Sequence, residues 1–593
     1  MTPYIAPLAD IRFALRELTA IDSLAKLPDS EVLADADLMD AILEQAARFA
    51  SDVLAPLNSV GDREGARWTE RGVITSPGFS AAYREFVAAG WNNIDMPAKY
   101  GGQDLPAVLC CALQEMFYSA NKAFCMCPGL AAPAVKALAA AASDPLKTLY
   151  IPKLVSGEWA ATMNLTEPQA GSDVGALRTR AEPQADGSYR IFGQKTFISF
   201  GDHDFTDNIV HLVLARIPGA PEGSRGVSLF LVPKFLPDGR RNDVQCTGIE
   251  HKLGNHGSPT CTLVYAAQGK GAQGWLVGQE NKGLHAMFVM MNAVRFNVGL
   301  EAVAVGERAY QKALAYARER IQGKLQGGGS ESVPIIRHPD VRRMLLTMRS
   351  QIEAMRAVAF ALAAARDLAA RHPEPVVRAD QQSFVDLMTP VFKGWASETG
   401  IDVASTSIQV HGGAGYIEDH GATQALRDIR IAAIYEGTTS IQAHDLVERK
   451  LVRDGGAAFR SWLSQVHATL HQLDASNNEL KHIAHKLRNS VGAIQEATES
   501  VLANCPARPL EVLAVSVPLL RAFGIVTGGW QMARAALAAD RYLEEGRGDA
   551  VFLRAKSTNA MFYSAHILPQ AIALTDTVMH GGASVMAMDE AAF

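Results

Sequence analysis

The chain has 593 residues, of which 48% are hydrophobic and 20% charged, and its formal net charge at pH 7 is -6. This composition excludes wholesale disorder, and the acidic balance argues against a nucleic-acid binder, which would carry a basic patch. No uninterrupted apolar run approaches the roughly 18 residues of a membrane span, and Asp10, Arg12 and Arg16 interrupt the start of the chain, where a secretion signal would be apolar. We therefore expect a soluble cytoplasmic protein.

Residues 1–37 show little periodicity and are predicted to form an N-terminal arm. From Leu38 onwards, apolar residues recur at three- and four-residue steps, as in an amphipathic helix. The series is Leu38, Ile42, Ala46, Phe49, Val53 and Leu57, and Pro56 requires the helix to end or kink nearby. More helical pattern follows, so residues 38–157 are predicted to form a helical domain.

Short segments rich in β-branched and aromatic residues follow from about Trp159. They lie at 189–199, 208–217, 227–235 and 261–267. Each is bounded by Gly, Pro, Asp or Asn, as strands separated by turns are. Residues 158–275 are therefore predicted to form a middle β domain.

Helical pattern returns after Asn281, with long segments at 284–320, 341–371 and 379–410. Three glycines and a serine at 327–330 interrupt it and predict a surface loop. The Asp-Gly-Gly sequence at 454–456 separates a helical domain at 281–450 from an additional helical domain at 457–593. The predicted fold class is mainly α with a central β domain.

The seven cysteines, an odd number, do not form the pattern of a secreted disulfide framework. Cys110 and Cys111 fall in an apolar helical segment and are predicted to be core residues. Cys125 and Cys127 come nearest to a metal-ligand pair, but no second Cys or His pair stands at zinc-site spacing. We expect no metal site.

The first candidate site is the segment 163–173, Met-Asn-Leu-Thr-Glu-Pro-Gln-Ala-Gly-Ser-Asp, at the start of the β domain. Small residues, hydroxyls and turn formers can present backbone N–H groups and hydroxyls to an anionic or heteroaromatic ligand. Spacing alone favours an ordinary loop over such a site.

The second candidate is the segment 193–199, Gly-Gln-Lys-Thr-Phe-Ile-Ser, on a predicted strand. Its aromatic residue, Phe197, stands close to a hydroxyl. Phe197 would either wall a flat ring system or be an ordinary half-buried strand residue, and the second case is more common.

The third candidate is the segment 409–416, Gln-Val-His-Gly-Gly-Ala-Gly-Tyr, whose glycines would let the backbone approach phosphates closely. It is not a P-loop, because no Gly-Lys-Ser/Thr follows. It is not a dinucleotide fingerprint either, because a helical segment precedes it. His411 on its own is more often structural than catalytic.

The fourth candidate is the segment 434–442, Ile-Tyr-Glu-Gly-Thr-Thr-Ser-Ile-Gln. Glu436 lies between apolar residues and a glycine turn, ahead of hydroxyls that can cap a helix. A carboxylate desolvated in this way has a raised pKa, which suits a base that removes a proton from carbon. A solvated loop glutamate fits the local sequence equally well.

Taken together in this order, the four segments resemble the acyl-CoA dehydrogenase family. The matching motifs are Thr-Glu-Pro-x-Ala-Gly-Ser-Asp at 166–173, Gly-Gln-Lys-x-x-Ile-Ser at 193–199, Arg-x-x-Gly-Lys at 320–324 and Tyr-Glu-Gly-Thr at 435–438. The resemblance covers about 38–450. With its arm and its extension beyond 455, the chain resembles the long subfamily that includes 3-methylmercaptopropionyl-CoA dehydrogenases. It implies FAD as the cofactor and a core of N-terminal helices, a β-barrel-like middle domain and a four-helix bundle.

The resemblance implies two sets of cofactor-binding residues. One set would line the flavin ring: Met163, Leu165, Thr166, Ser172, Phe197 and Ser199. The other would hold the pyrophosphate and adenosine, partly from a neighbouring subunit: Arg320, Gln322, Gln409, Gly412 and Gly413. Thr438 and Ser440 would complete the cofactor site. Many relatives have Trp at the position of Phe197, so ring stacking is expected to differ here.

Glu436 matches the family's catalytic base. Some relatives place the base instead one residue before the arginine equivalent to Arg295. That position is Val294 here, which cannot take a proton. Ser172, Arg295 and Gly437 are implied to contact the substrate.

The implied reaction converts an acyl-CoA thioester to a trans-2-enoyl-CoA. Glu436 would remove the α-proton while the β-hydride passes to flavin N5, and electrons would leave through an electron-transfer flavoprotein. An acyl-CoA oxidase that reduces oxygen is the nearest alternative. A non-enzymatic CoA-binding relative is another, although Glu436 and the 166–172 run are both intact. A nitroalkane oxidase relative would be expected to carry Asp as its base.

The extension after residue 455 carries an apolar stripe. We expect this stripe to pack on the bundle and on a partner subunit in a homodimer. Attachment to a membrane surface is the alternative, but no basic amphipathic face stands out in the sequence.

Overall fold

The computed structural model of the chain describes residues 3–327 and 330–593, so Gly328 and Gly329 of the predicted surface loop lie outside the described residues. The chain divides into two compact units. The sheet unit comprises Arg48–Pro106 and Ala120–Asn297. The helical unit comprises the residues up to Ala47, Ala107–Ser119 and Val298–Phe593.

The strands lie in the sheet unit, and their bounds set the positions of two candidate segments. They are β1 (Arg67–Thr69), β2 (Gly72–Ile74), β3 (Trp159–Asn164), β4 (Arg180–Pro183), β5 (Tyr189–Ser199), β6 (Asn208–Ala215), β7 (Ser228–Pro233), β8 (Val244–Ile249), β9 (Thr260–Tyr265) and β10 (Ala272–Val277). β1 and β2 form a separate antiparallel hairpin.

The remaining strands form one sheet in the order β3-β6-β7-β10-β5-β9-β8, with β4 also paired to β5. β3 and β6 run parallel, with Trp159 opposite Asn208, and the other pairs are antiparallel. Alternate apolar side chains of this sheet, including Ile191, Phe230 and Leu263, form a buried cluster. The predicted central β domain is confirmed by this sheet.

The four strands expected from the sequence are present, and β5 has the predicted bounds. β1, β2, β3, β4, β8 and β10 were not predicted from the sequence. β8 and β10 each contain a glycine and a glutamine, and β10 has only one β-branched residue, which weakens the local strand signal.

The helices account for most of the rest of the chain. In chain order they are α1 (Leu8–Glu17), α2 (Ile21–Leu24), α3 (Ala36–Phe49), α4 (Ala55–Glu64), α5 (Phe79–Ala88), α6 (Ala107–Cys125), α7 (Pro128–Ala141), α8 (Asp144–Val155), α9 (Gly283–Glu319), α10 (Pro339–Arg371), α11 (Pro375–His411), α12 (Thr423–Ile429), α13 (Thr439–His444), α14 (Ala457–Asp474), α15 (Asn478–Asn504), α16 (Pro509–Ala514), α17 (Ser516–Glu544), α18 (Ala550–His566), α19 (Leu568–His580) and α20 (Gly582–Met586).

The helical series that begins at Leu38 is present, although not every apolar residue of the series is buried. α3 buries Met39 and Leu43, whereas Leu38 is 47% exposed. A π-helical turn at Ala50–Leu54 then leads into α4, and Pro56 stands in the first turn of α4. Proline has no N–H to donate, and in the first turn of a helix this breaks no helical hydrogen bond. Pro56 is therefore tolerated at the point where the helix geometry changes.

The N-terminal arm is helical rather than irregular. α1 buries Ile11 and Phe13 within the helical unit, and the Asp10 carboxylate accepts a hydrogen bond from the buried Lys556 ammonium. Glu17 pairs with Arg541 at 2.6 Å. One short helix gives too few repeats for a clear periodicity, and these distant partners stabilise it.

The core of the helical unit includes a buried charge cluster. The Arg356 guanidinium lies 2.6 Å from a Glu115 oxygen and 2.8 Å from a Glu307 oxygen. Cys110 and Cys111 are buried, as predicted. A buried arginine with two carboxylate partners is costly to disrupt, because removing one partner leaves an uncompensated charge.

Among the residues that the structure describes, one helix, α9, is long and apolar enough to cross a membrane by length and composition, and 72% of its apolar window is buried inside the protein. α6 and α7 pass the same test only together, and they are bent by 95°. The sequence prediction considered uninterrupted apolar runs and therefore missed α9, whose window includes polar residues. A buried core helix gives the same signal.

Candidate active site

Two segments that carry candidate flavin residues lie side by side in the sheet unit. Met163 is on β3, and Leu165 and Thr166 follow its end. Phe197 and Ser199 are at the end of β5. The backbone N–H of Thr196 donates to the carbonyl oxygen of Thr166 at 3.0 Å, which joins the two segments.

Phe197 is in an unusual conformation at the end of β5. The pairing of β5 with β9 shifts register between Lys195 and Ile198. Within this irregularity Phe197 has φ 60° and its side chain is 61% exposed. A bulky residue with positive φ is a genuine outlier, and such residues concentrate at functional sites.

The surroundings of Phe197 fit a flat aromatic ligand. Thr166 and Ser199 are half-buried. Ser172 is exposed, and a Cβ added at the neighbouring Gly171 would meet nothing within 4 Å. An exposed aromatic ring, hydroxyls and open space beside a glycine are what a ring such as the flavin of FAD requires.

The candidate pyrophosphate and adenosine residues lie in the helical unit. Arg320 and Gln322 are exposed just after α9, and the Gln322 carbonyl oxygen lies 2.8 Å from Nε2 of His338. Gln409 is exposed in the last turn of α11. Gly412 follows with φ 60°, and a Cβ at Gly412 or Gly413 would meet nothing within 4 Å.

His411, between these residues, has a structural role, the more common role for a lone histidine. Its ring stacks on Tyr316 with centroids 4.5 Å apart, and its Nδ1 lies 2.7 Å from the Ser407 carbonyl oxygen. Burial lowers the pKa of His411. The open backbone beside Gly412 and Gly413 therefore fits a phosphate group, without His411 acting on it.

Glu436 lies in a strained turn of the helical unit, and side chains from other segments hydrogen-bond to the backbone of this turn. It is half-buried with φ 55°, and Gly437 has φ 89°. Nε2 of Gln442 donates to the Glu436 carbonyl oxygen at 3.1 Å. Nζ of Lys393, whose side chain is fully buried, donates to the Gly437 carbonyl oxygen at 2.6 Å.

The residues after this turn start a helix. The Thr438 hydroxyl accepts a hydrogen bond from the Ile441 N–H at 3.2 Å and so caps α13. The Thr439 hydroxyl donates to Glu398 at 2.6 Å. Ser440 is exposed. The predicted cap at this position is confirmed, and it fixes the point at which the Glu436 turn ends.

Tyr435, just before Glu436, anchors the other side of the turn. Its hydroxyl donates to the buried carboxylate of Glu301. Burial raises the pKa of Tyr435 well above its ordinary value, and Glu301 and Glu436 add to that effect. The phenol therefore stays protonated and remains a donor to Glu301.

The sequence did not single out Glu301, Lys393 or Gln442, although these side chains hold the Glu436 turn. Lys393 did carry a signal, because it is a lone charge among the apolar residues of α11 between Leu387 and Trp395. A charged residue in a buried helical stretch requires a partner. The position of that partner, 44 residues further along the chain, could not be read from local sequence.

Two further predicted positions are on α9. Arg295 is 5% exposed and Val294 is 7% exposed. The apolar Val294 offers no group that takes a proton. Among residues 3–327 and 330–593, no group of three or more His, Cys, Asp or Glu side chains is placed to hold a metal ion.

Comparison with known proteins identifies the family. Models of the N-terminal, middle and C-terminal domains of acyl-CoA dehydrogenase match residues 37–158, 162–267 and 281–451. A model described as acetyl-CoA dehydrogenase C-terminal like matches residues 462–589. The chain belongs to the acyl-CoA dehydrogenase family. Membership makes it a flavoprotein oxidoreductase that acts on acyl-CoA, with FAD as its cofactor.

Relatives of full length support this membership. A 3-methylmercaptopropionyl-CoA dehydrogenase of Ruegeria pomeroyi is 44% identical over 97% of this chain and 98% of its own. A broad-specificity linear acyl-CoA dehydrogenase of Mycobacterium tuberculosis is 35% identical over 100% of both chains. The resemblance to the long subfamily is thereby confirmed.

A solved structure supports the fold. The structure of an acyl-CoA dehydrogenase of Bacillus anthracis in complex with FAD aligns with 98% of the present chain and with 93% of the Bacillus anthracis chain. The TM-score is 0.74 and the sequence identity is 20%. At this identity the match shows the fold alone. The predicted fold class, helices around a central β domain with a C-terminal helical extension, is confirmed.

Proposed function

We propose that Glu436 is the base that removes the α-proton of a bound acyl-CoA. The C2–H bond breaks and the proton moves to the Glu436 carboxylate. The electron pair of the C2–H bond forms the C2–C3 double bond as a hydride leaves C3. FAD, when bound, supplies the two-electron oxidant that accepts this hydride. The organic product is a trans-2-enoyl-CoA.

The observation that carries this proposal is the conformation of Glu436. A residue with φ 55° costs about 1 kcal/mol or more of backbone strain. Lys393 and Gln442 donate to the two carbonyls of this turn, and Tyr435 is anchored on Glu301. A solvated surface glutamate would need none of these contacts, whereas a base must be held in one orientation toward a carbon-bound proton.

The remaining predicted residues are proposed to bind the ligands. Met163, Leu165, Thr166, Ser172, Phe197 and Ser199 would contact the flavin ring. Arg320, Gln322, Gln409, Gly412, Gly413, Thr438 and Ser440 would hold the rest of FAD. Ser172, Arg295 and Gly437 would contact the substrate, and the N–H of Glu436 would donate to the thioester carbonyl, where charge develops as the proton leaves.

Replacement of the carboxylate tests the assignment of the base. The Glu436→Gln variant keeps the size of the side chain but cannot take a proton. We expect the purified variant to remain yellow, with FAD bound, and to lose bleaching by acyl-CoA in the absence of oxygen. Bleaching at the wild-type rate would show that another group is the base.

The substrate is proposed to be a CoA thioester of a saturated acyl group, of the kinds for which the two relatives are named. A 3-methylthiopropionyl-CoA and straight-chain acyl-CoAs from C4 to C18 would be compared by the rate of flavin bleaching. A clear preference for the methylthio substrate over butyryl-CoA would place the chain with the Ruegeria pomeroyi relative. The reverse preference would exclude that specificity.

The electron acceptor is proposed to be an electron-transfer flavoprotein. Reduced holoenzyme would be mixed with oxidised electron-transfer flavoprotein or with aerated buffer. Fast reoxidation by the flavoprotein, with little peroxide in air, supports a dehydrogenase. Rapid peroxide formation in air would instead identify an oxidase.

We also propose a homodimer in the cytoplasm, and functional domains at 38–157, 158–275, 281–450 and 457–593 after the arm at 1–37. Light scattering of the purified holoenzyme gives its mass in solution. A mass equal to that of one chain would exclude the dimer. Limited proteolysis is expected to cut first near 454–456, between the last two domains.

A further inference from the structure

A buried ion pair lies beneath the candidate flavin residues of the sheet unit. Lys195 is on β5 and has no exposed surface, and Glu167, in the segment after β3, is 4% exposed. Nζ of Lys195 donates to Oε1 of Glu167 at 2.8 Å and to the Leu165 carbonyl oxygen at 2.9 Å. A single ammonium group thus binds both a side chain and the backbone of the same segment.

The Glu167 carboxylate ties this segment to a third one. Oε2 accepts from the Arg178 N–H at 2.7 Å and from Nε2 of Gln169 at 2.7 Å. Oε1 accepts from the Thr179 N–H at 3.0 Å. The carboxylate is therefore saturated with donors, and its orientation is fixed.

Both members of the pair are charged at neutral pH. Burial by itself would raise the pKa of Glu167, but the Lys195 ammonium and the amide donors outweigh it and lower that pKa to about 2. Burial lowers the pKa of Lys195 to about 8, although Glu167 opposes that shift. At pH 7 the segment after β3 is therefore joined to β5 by opposite charges.

The residues joined in this way adjoin those assigned to the flavin. Leu165, whose carbonyl accepts from Lys195, and Thr166, whose carbonyl accepts from Thr196, lie on one segment. Phe197 lies two residues beyond Lys195 on the other, in the strained conformation described above. A change at Lys195 would therefore move both walls of the candidate flavin site.

Stability alone does not explain a buried pair of this kind. Well-packed apolar side chains of similar volume are often as stabilising as a buried ion pair, because the charges lose their hydration. The pair does supply fixed donors to particular backbone atoms, which an apolar pair cannot do.

We propose that the Lys195–Glu167 pair is a positioning device that holds Leu165, Thr166 and Phe197 in the arrangement that binds the flavin of FAD. The inference rests on the assignment of these three residues to the flavin site. Neither charged group is itself assigned a contact with the flavin. Both are positioning residues, and their loss acts on the cofactor through the segments that they join.

The test compares FAD release from four purified holoenzymes. Lys195→Met removes the ammonium and keeps an unbranched side chain that is one heavy atom shorter. Glu167→Gln is a milder variant that keeps the shape of the side chain. Its new amide N–H2 group faces hydrogen-bond donors that the carboxylate accepted from. Lys234→Met is the matched control, because Lys234 forms another ion pair of the sheet unit, 2.5 Å from Asp202. FAD release on dilution is followed by flavin fluorescence, with the visible spectrum and the thermal midpoint measured on the same samples.

We expect Lys195→Met to weaken FAD binding by about tenfold or more and to change the visible flavin band, with a smaller change of the same kind in Glu167→Gln. Lys234→Met should lower the thermal midpoint but hold FAD as the wild type does. The proposal would be overturned if folded Lys195→Met retained FAD and showed the flavin spectrum as the wild type does. If Lys195→Met does not fold, wild-type FAD retention and spectrum in Glu167→Gln would overturn it instead. Equal FAD loss in Lys234→Met would also overturn it, by showing that destabilisation alone releases FAD.

A fourth variant, Phe197→Ala, separates this proposal from the assignment of the site. An altered flavin spectrum in Phe197→Ala, with none in Lys195→Met, would refute the role of the ion pair and keep the site. Unchanged spectra and FAD retention in both variants would place the flavin elsewhere, and the proposal would fall with that assignment. Changes in both variants support the two together.

Discussion

The end of β5 and the Glu436 turn each hold a functional candidate at positive φ, but they fix it by different means. Phe197 has φ 60° and Glu436 has φ 55°. Beneath Phe197, two charged side chains bind each other and one backbone carbonyl. At Glu436, two donor side chains bind the carbonyls of the turn itself. A site that receives a ring needs two segments held together, whereas a base needs a single residue held still.

This difference predicts that changes in the Glu436 turn reduce the rate of reaction, whereas changes beneath Phe197 reduce cofactor binding. Separate measurements of flavin reduction at saturating acyl-CoA and of FAD release distinguish the two effects.

Gly437→Ala should have the largest effect on rate. Gly437 has φ 89°, and an added Cβ would lie 2.7 Å from Nε2 of Gln442 and 3.2 Å from Ile441. The turn must then shift, and displacement of a base by about 1 Å can cost about 100-fold in rate. We expect that loss in the rate of flavin reduction, with FAD content unchanged.

Gly455→Ala is the control for Gly437→Ala. Gly455 also has positive φ, 62°, but a Cβ there would meet nothing within 4 Å. Its substitution carries similar backbone strain outside the turn. An equal fall in the rate of both variants would show that strain in general, rather than the position of Glu436, limits the reaction.

The Lys195–Glu167 ion pair at β5 predicts that the stability of the folded protein depends on pH. The pKa of Glu167 is lowered from 4.5 to about 2, so its stabilising effect is complete above about pH 4.5 and is lost as the pH falls toward 2. Thermal midpoints of wild type and Glu167→Gln should therefore differ most near neutral pH and converge in acid. A constant difference from neutral pH to acid would contradict this origin.

Tyr435→Phe should have a moderate effect. The variant keeps the ring and removes the hydroxyl that donates to the buried Glu301 carboxylate. Loss of a hydrogen bond to a charged acceptor costs about 1.5–3 kcal/mol, measurable as a lower thermal midpoint. The rate of flavin reduction should fall with it, and FAD release should stay at the wild-type rate. Faster FAD release without a slower reduction would contradict the division between the two regions.

Thr438→Val should have the smallest effect on the rate of flavin reduction. It removes the oxygen that accepts from the Ile441 N–H and caps α13. A lost cap costs about 1 kcal/mol in the free energy of unfolding. Denaturant unfolding measures that cost, and the rate of flavin reduction should change by less than in Tyr435→Phe. A larger loss of rate would show that Thr438 acts on the reaction directly.

The sequence predicted well what depends on local pattern. The bounds of β5, the long helices α10 and α11, the cap at Thr438 and the burial of Cys110 all follow from periodicity and residue type. In α3 the apolar series marks the buried positions only in part, because Met39 and Leu43 are buried whereas Leu38 is exposed. Local pattern also does not show where a π-helical turn, such as the one at Ala50–Leu54, changes the helix geometry.

Long-range partners could not be predicted. Glu167 and Lys195 are 28 residues apart, and Tyr435 and Glu301 are 134 apart. Lys195 did give a warning, because in β5 it shares the inward side with Ile191, where an apolar residue is expected. The pattern marks the buried charge, but only the fold identifies its partner.

The most direct test of the role of Glu436 is proton exchange at C2 of the substrate. Holoenzyme and acyl-CoA would be incubated without oxygen in D2O, and deuterium in the recovered acyl-CoA measured by mass spectrometry. We predict deuterium at C2 with the wild type and a rate lower by about 1000-fold or more with Glu436→Gln. Exchange at the wild-type rate in that variant would contradict the assignment of Glu436 as the base.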